Sequence, residues 1–274
     1  ILLKEHHGQH TMERIKQALE KARQEREIRQ GAEPSAPRDR AGRADTRNIE
    51  YGQTQTINVD DAVLKENRIV FGMETSPFTD SYNLLRTQIL QRFRENNWNV
   101  LAVTSPGSGA GKTLTAINLA VCIAREVDYT VLLVDANLRH PWMMEHFGLE
   151  ERQGLSDYLT NDAPIEELMV KPGRVDHLVL LPGGKRLEHS AEMLSSPKME
   201  QLVTDMKSRY HSRIIIFDLP PVLSSADALA FSPYVDAALL VVEEGVTQKE
   251  DLEHAVDLLS STNIVGTVLN KAEP

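Results

Sequence analysis

The stretch Val103 to Ala120, VTSPGSGAGKTLTAINLA, sets Lys112 and Thr113 directly after three alternating glycines, Gly107, Gly109 and Gly111. A glycine-rich turn lets backbone N–H groups point inward around phosphate oxygens. A lysine placed there reaches the β- and γ-phosphates, and a threonine hydroxyl can ligate Mg2+. An apolar run precedes the turn and a helical pattern follows it, so the N-terminus of that helix adds its positive dipole end. The P-loop pattern G-x-x-x-x-G-K-[ST] asks for glycine where this chain has Pro106. That position lies at the strand edge, away from the phosphates. Proline fits it when its fixed φ suits the bend and no N–H is required. The expected nucleotide-binding set is Gly107, Ser108, Gly109, Ala110, Gly111, Lys112, Thr113 and Leu114.

Two more apolar runs end in carboxylates. VLLVDANLRHP brings Asp135 to a strand end, where it can face Mg2+ or the incoming nucleophile, and Asn137 points the same way if the backbone stays extended. Arg139 and Pro141 follow. The alternative reading of Asp135 is a helix N-cap. IIIFDLPPV places four apolar residues before Asp218, the Walker B arrangement, in which the carboxylate holds the metal through its water shell. Pro220 and Pro221 remove two backbone donors and stiffen the exit. Lys112 and Asp135 are thus the catalytic candidates, and Thr113, Asp135, Asn137 and Asp218 the Mg2+ candidates.

These residues need a frame. WNVLAVT, TVLLVD, HLVLLPGG, RIIIFDLPP, AALLVVEE and NIVGTVLN are short, continuous, β-branched runs. Helical segments at 112–126, 197–210 and 248–260 lie between most of them. Apolar strands alternating with helices predict an α/β, doubly wound, mostly parallel sheet with helices on both faces. Ligands bind such sheets at the carboxyl ends of the strands, where the candidate residues fall. Before the first run, Tyr82, Leu85, Ile89 and Phe93 recur at helical spacing.

The folded domain is expected from about Ile49, giving a domain over 48–274. Residues 11–30 are helical by composition, with Met12, Ile15, Leu19 and Ala22 as a thin apolar stripe. This is either a solvated arm or a docking helix for a partner or membrane surface. Residues 31–47 hold Pro, Gly, Arg and Asp but no large apolar side chain, and read as a flexible linker. Residues 1–47 are therefore a helical arm with a linker.

The chain has 274 residues and a formal charge of −10. Residues 1–47 hold eleven Lys/Arg and eight Asp/Glu, about +3, so the remainder is about −13. An acidic domain argues against nucleic-acid binding. The single cysteine, Cys122, excludes an internal disulfide and reads as buried helix face. No run approaches the roughly 18 apolar residues of a membrane span, and no signal-peptide pattern is present. The opening Ile1 reads as the start of a fragment. The expected location is the cytoplasm.

Taken together, the chain resembles the bacterial tyrosine kinases of capsule and exopolysaccharide synthesis, over about Thr11 to Lys271. The likeness is carried by MERIKQALEKAR, NRIV, SYNLLRTQIL, the P-loop, VLLVDANLRHP, GLSDYL, LVLLPGG, FDLPPVLSSADALAF, DAALLVVEEG and GTVLNK. The family's Walker A, A′ and Walker B motifs fall on Gly107–Thr113, Val131–Pro141 and Ile214–Asp218. Related partition, septum-placement and nitrogenase-type ATPases carry a second lysine where this chain has Gly107. The resemblance implies ATP and Mg2+ as cofactors, Arg139 in the nucleotide site, and the adenine end near Asn270 and Lys271; a chain-terminal turn explains Asn270 equally well. It also implies homo-oligomerisation and a membrane chain-length regulator of polysaccharide export as activator. The protein would then sit peripherally at the inner membrane through that partner.

Three positions depart from the family. Its A′ motif usually has two aspartates, and here the second is Asn137. One charge lost about 5 Å from a cation is on the order of 3 kcal/mol at an effective dielectric near 20, so weaker Mg2+ handling is expected. Its oligomerisation helix reads E-x-x-R-x-x-R, against Asp80, Asn83 and Arg86 here. Its members often end in a run of tyrosines, whereas the six here (51, 82, 129, 158, 210 and 234) are scattered, with Tyr51 the most accessible candidate by composition. The expected reaction is phosphoryl transfer from ATP to a tyrosine hydroxyl. The rivals are a partition-type ATPase switch and a nucleotide-gated scaffold without turnover.

Overall fold

The computed structural model describes residues 3–4, 54–71, 76–173, 175–209 and 212–272. The expected helix over 11–30, the linker over 31–47, the domain start near Ile49 and Tyr51 lie outside these residues. In chain order the strands are β1 (Leu3–Lys4), β2 (Gln55–Ile57), β3 (Val100–Thr104), β4 (Thr130–Asp135), β5 (Val170–Pro172), β6 (Leu178–Leu181), β7 (Arg213–Asp218), β8 (Ala237–Glu243) and β9 (Asn263–Asn270). The helices are α1 (Asp61–Glu66), α2 (Pro77–Asn96), α3 (Lys112–Ala124), α4 (Met143–His146), α5 (Leu155–Asn161), α6 (Ile165–Leu168), α7 (Ser190–Leu194), α8 (Pro197–Arg209), α9 (Asp227–Phe231) and α10 (Lys249–Leu258).

The strands form one sheet in the order β1-β9-β8-β3-β7-β4-β6-β5-β2. From β9 to β6 every pairing is parallel. The six expected apolar runs are these six strands. Only the margins are antiparallel, where β1 meets β9 and β5 meets β6.

Alternation along the apolar strands explains their composition. In β3, Leu101 and Val103 enter one core while Val100 and Ala102 enter the other. In β7, Ile214 and Ile216 face the first, Ile215 and Phe217 the second. Both faces are buried, and in these two strands polar residues stand only at the ends. Each fully buried Leu, Ile or Phe contributes roughly 1.5–3 kcal/mol.

The first core lies beneath α2 and α3. Ser76 starts α2 as N-cap, its hydroxyl accepting the Thr79 N–H at 3.2 Å, with Pro77 in the first turn. Tyr82, Leu85, Ile89 and Phe93 form its buried stripe, as their spacing predicts. Asn97, in the left-handed conformation, ends it. Cys122 is fully buried in α3. The second core lies beneath residues of α5, α8, α9 and α10, with Met199, Leu202 and Phe231 among its members. The sheet is therefore covered on both faces, and its carboxyl edge is left for the loops after β3, β4, β7 and β9.

Candidate active site

The loop 105–111 joins β3 to α3. Gly109 (φ 83) and Gly111 (φ 87) adopt the left-handed backbone that glycine takes without strain. Gly107 does not, and a Cβ there would meet nothing within 4 Å. The position at which relatives carry a second lysine is thus open to a side chain, and its glycine is not imposed by packing. The Ser105 hydroxyl donates to the Gly107 carbonyl at 2.6 Å and tightens the turn. Gly111 caps α3 without a side chain, and the first turn of α3 holds no acidic residue. Its opening N–H groups are suited to an anion.

Pro106 sits where the sequence requires no donor. The segment after β7 runs alongside the start of the loop. Leu219, Val222 and Leu223 donate N–H groups to the carbonyls of Val103, Ser105 and Pro106 at 2.9, 2.9 and 3.2 Å. Pro220 and Pro221 fall between these donors, and the Pro220 carbonyl accepts the Thr104 hydroxyl at 2.7 Å. Both proline features therefore belong to one ladder that needs their carbonyls and their shape.

Lys112, Thr113 and Asp218 converge. The Lys112 ammonium donates to Thr113 Oγ1 at 3.1 Å and lies 3.4 Å from Asp218 Oδ1. The Thr113 hydroxyl donates to Asp218 Oδ2 at 2.6 Å. Asp135 stands beside Asp218 in the strand register. Its Oδ1 accepts the Asn137 N–H at 3.1 Å, and its Oδ2 accepts the N–H groups of Trp142 and Met143, each at 3.0 Å. Asp135 thus secures the start of α4 from seven and eight residues away, a long-range form of the N-cap alternative. Burial, and then the neighbouring Asp218 charge, push its carboxyl up to about 7, against the Met143 N–H and Lys112. Asn137 is buried close by.

Arg139 turns its Nε to Asp227 Oδ1 at 3.3 Å, and the Ser190 hydroxyl donates to Asp227 Oδ2 at 2.5 Å. Asp227 and Ser190 are fully buried and had no place in the site reading. The one signal in the sequence is Asp227 itself, an acidic residue nine positions after Asp218 in an otherwise small and apolar stretch; Ser190 leaves none. Asn270 directs its amide to the loop, donating to the Ala110 carbonyl at 2.8 Å. Lys271 pairs with Glu243 at 2.9 Å. Leu114 packs at the margin of the first core, and Ser108 is exposed at the loop tip.

The family departures are also placed. Arg86 on α2 pairs with Glu126 of the same chain at 3.1 Å. Among the described tyrosines, Tyr82 is buried, Tyr129 accepts the Arg94 Nε–H at 2.7 Å, Tyr158 lies under the Lys198 ammonium, and Tyr234 donates to the Ser195 carbonyl. Among the described residues no helix is long and apolar enough to cross a membrane.

A strand, a glycine-rich loop, a helix start without a side-chain cap and two strand-end carboxylates meet at one edge of the sheet, and comparison with known proteins places the chain among nucleotide-binding families. The AAA domain family matches residues 98–262. Tyrosine-protein kinase YwqD of Bacillus subtilis is 32% identical over 209 residues, covering 76% of this chain and 86% of that protein. Tyrosine-protein kinase CpsD of Streptococcus pneumoniae is 30% identical over 195 residues, covering 70% and 83%. Among solved structures, the chimerical protein CapA2B2 superposes with a TM-score of 0.70 at 25% identity, covering 82% of this chain and 96% of that one. The chain belongs to the bacterial tyrosine-protein kinase family of P-loop nucleotide-binding proteins.

Proposed function

We propose that this chain transfers the γ-phosphoryl group of Mg-ATP to tyrosine hydroxyls and acts in capsule or exopolysaccharide synthesis. The observation that carries the reading is the convergence of Lys112, Thr113 and Asp218 within 3.4 Å at the mouth of the glycine loop. Phosphoryl transfer leaves little covalent work to the protein, so positioning and charge neutralisation supply most of the rate. Lys112 neutralises the β/γ oxygens. Backbone N–H groups from Gly107 to Leu114 cradle them, and Arg139 adds a second cation held in place by Asp227. A hydroxyl and a carboxylate are hard oxygen donors, which suits Thr113 and Asp218 to Mg2+, with Asp135 and Asn137 in reach of its water shell. Bound there, Mg2+ would neutralise charge on the transferring group.

Asp135 is the residue that takes the phenol proton or orients the hydroxyl. A carboxylate offers about four lone-pair positions, of which three are used by backbone N–H groups. Burial and the neighbouring Asp218 charge raise its carboxyl above the usual carboxylate range, which strengthens it as a proton acceptor. Within the chain, Tyr51 beside the linker is the acceptor candidate by composition. Further parts of the reading are a domain over 48–274 that follows the arm and linker, a cytoplasmic site of action, self-association, and recruitment by the cytoplasmic tail of a membrane chain-length regulator. The rival, a nucleotide-gated switch without kinase turnover, is favoured by Asn137 standing where the family has a second aspartate.

The test is incubation with Mg-ATP, with and without the regulator tail, followed by mass-spectrometric mapping of phosphotyrosine. Modification in the wild type and none in Lys112→Met is expected. Free phosphate without phosphotyrosine supports the switch.

A further inference from the structure

We propose that Asn270 is a positioning residue for the phosphate loop, acting on the loop's backbone and not on the nucleotide base; this rests on reading the loop as a nucleotide site. β9 ends at Asn270, whose backbone is pinned to β8: it pairs in register with Glu243, and its carbonyl accepts the Glu244 N–H at 3.0 Å. Lys271 then turns away in the left-handed conformation (φ 58). From this fixed point the Asn270 amide donates to the carbonyl of Ala110, 160 positions earlier, at 2.8 Å.

The consequence follows from peptide geometry. In a planar trans peptide the C=O of one residue and the N–H of the next point in opposite directions. Asn270 holds the Ala110 carbonyl toward β9, so the Gly111 N–H is aimed the other way, into the cradle. The fit is close. A Cβ on Gly111 would collide with Asn270 Nδ2, so the amide fills the space the glycine leaves. Beside it, the Glu243–Lys271 pair closes the same flank, with Glu243 Oε2 3.9 Å from the Cβ position of Gly109. The ends of β8 and β9 thus brace the two glycines that carry positive φ. A residue that reads a base acts only when a base is present. One that aims a loop N–H acts on the phosphate chain alone.

Calorimetry on the full chain separates the two. The ligands are ATP, GTP and inorganic tripolyphosphate, each with Mg2+, and the proteins are wild type, Asn270→Ala and Asn270→Asp. Loss of one hydrogen bond to the loop should weaken wild-type binding of all three ligands by a common factor, about tenfold for Asn270→Ala. Asn270→Asp keeps the size but offers an acceptor to a carbonyl, so at pH 8 it should lose more. Thermal melts establish that the variants fold, and the isosteric Asp variant carries the test if the Ala variant does not. A loss confined to ATP with tripolyphosphate unchanged overturns the proposal, as does no loss at all. Failure of the wild type to bind any of the three overturns the nucleotide reading itself.

Discussion

Asp135 and Asp218 occupy paired positions on adjacent parallel strands, β4 and β7, and both are buried. Asp218 is compensated by Lys112 and Thr113, while Asp135 relies on three backbone N–H groups. Burial and the Asp218 charge therefore raise the Asp135 carboxyl from 3.8 to about 7. Between these values the folded chain binds a proton that the unfolded chain has released. The associated stability is present in acid and is lost as pH rises through about 7. A cation between the carboxylates favours their charged forms. The stabilisation by Mg-ADP, read as the rise in Tm, should thus be larger at pH 8 than at pH 6, and Asp135→Asn should remove most of that difference. An equal rise at both pH values in the wild type would contradict the linkage.

Asn137 predicts a trade of opposite signs. Asn137→Asp restores the second carboxylate beside Asp135, whose Oδ1 already holds the Asn137 N–H. Without nucleotide the added charge repels two neighbours, and a penalty of about 1 kcal/mol lowers Tm by roughly 2–4 °C. With Mg2+ present the same charge is attractive, and an increase in Mg-nucleotide affinity of about tenfold is expected, below the ideal Coulomb value because water screens the pair. Melts without metal and Mg2+ titrations at fixed ADP measure the two effects. An affinity gain without the loss in Tm would mean that residue 137 faces away from the carboxylates.

How far the site could be read in advance depends on the range of the contacts. Continuous apolar strands confine polar residues mostly to their ends, so Asp135 and Asp218 were legible as candidates from strand ends, and Lys112 and Thr113 from the glycine pattern that precedes them. The six central strands were legible for the same reason. β2 and β5 were not, since each has only three residues and β5 ends in Pro172. Nor were the partners of the site residues. Asp135 reaches Trp142 and Met143 through a loop, Arg139 meets Asp227 88 positions away, and Asn270 meets Ala110 across the sheet. Such pairings are set by sheet order and leave no periodic mark. Arg86 is a similar case: its spacing on α2 matches a family motif, yet its ion-pair partner, Glu126, lies just past the end of α3.

The three loop glycines should separate in a mutational series. Gly107→Ala adds a methyl to open space at a position without positive φ, so stability within about 0.5 kcal/mol of wild type is expected. Gly109→Ala places an L-residue in the left-handed region (φ 83) at a cost of roughly 1–2 kcal/mol, with little steric conflict. Gly111→Ala carries the same strain and in addition displaces Asn270. Denaturant unfolding should give the order Gly107, Gly109, Gly111 from mildest to most severe. Equal effects at Gly107 and Gly111 would refute the loop geometry described.

Asn118 extends the argument from the loop to the segment that precedes α2. It lies fully buried on α3, where its Oδ1 accepts the Val70 N–H at 3.0 Å and its Nδ2 donates to the Arg68 carbonyl at 3.0 Å. Arg125, just past the end of the same helix, donates to the Val70 carbonyl at 3.0 Å. The helix that starts at the phosphate loop therefore holds residues 68–70 by side-chain bonds where no strand pairs with them. Asn118→Leu keeps the branched shape but leaves the buried Val70 N–H without its acceptor, at a cost of roughly 1–3 kcal/mol, and removes the bond to the half-buried Arg68 carbonyl as well. A drop in Tm of about 5–10 °C is expected, with amide exchange accelerated at residues 68–71 well before it changes in β3. Unchanged protection at Val70 would show that the segment is held by its apolar contacts alone.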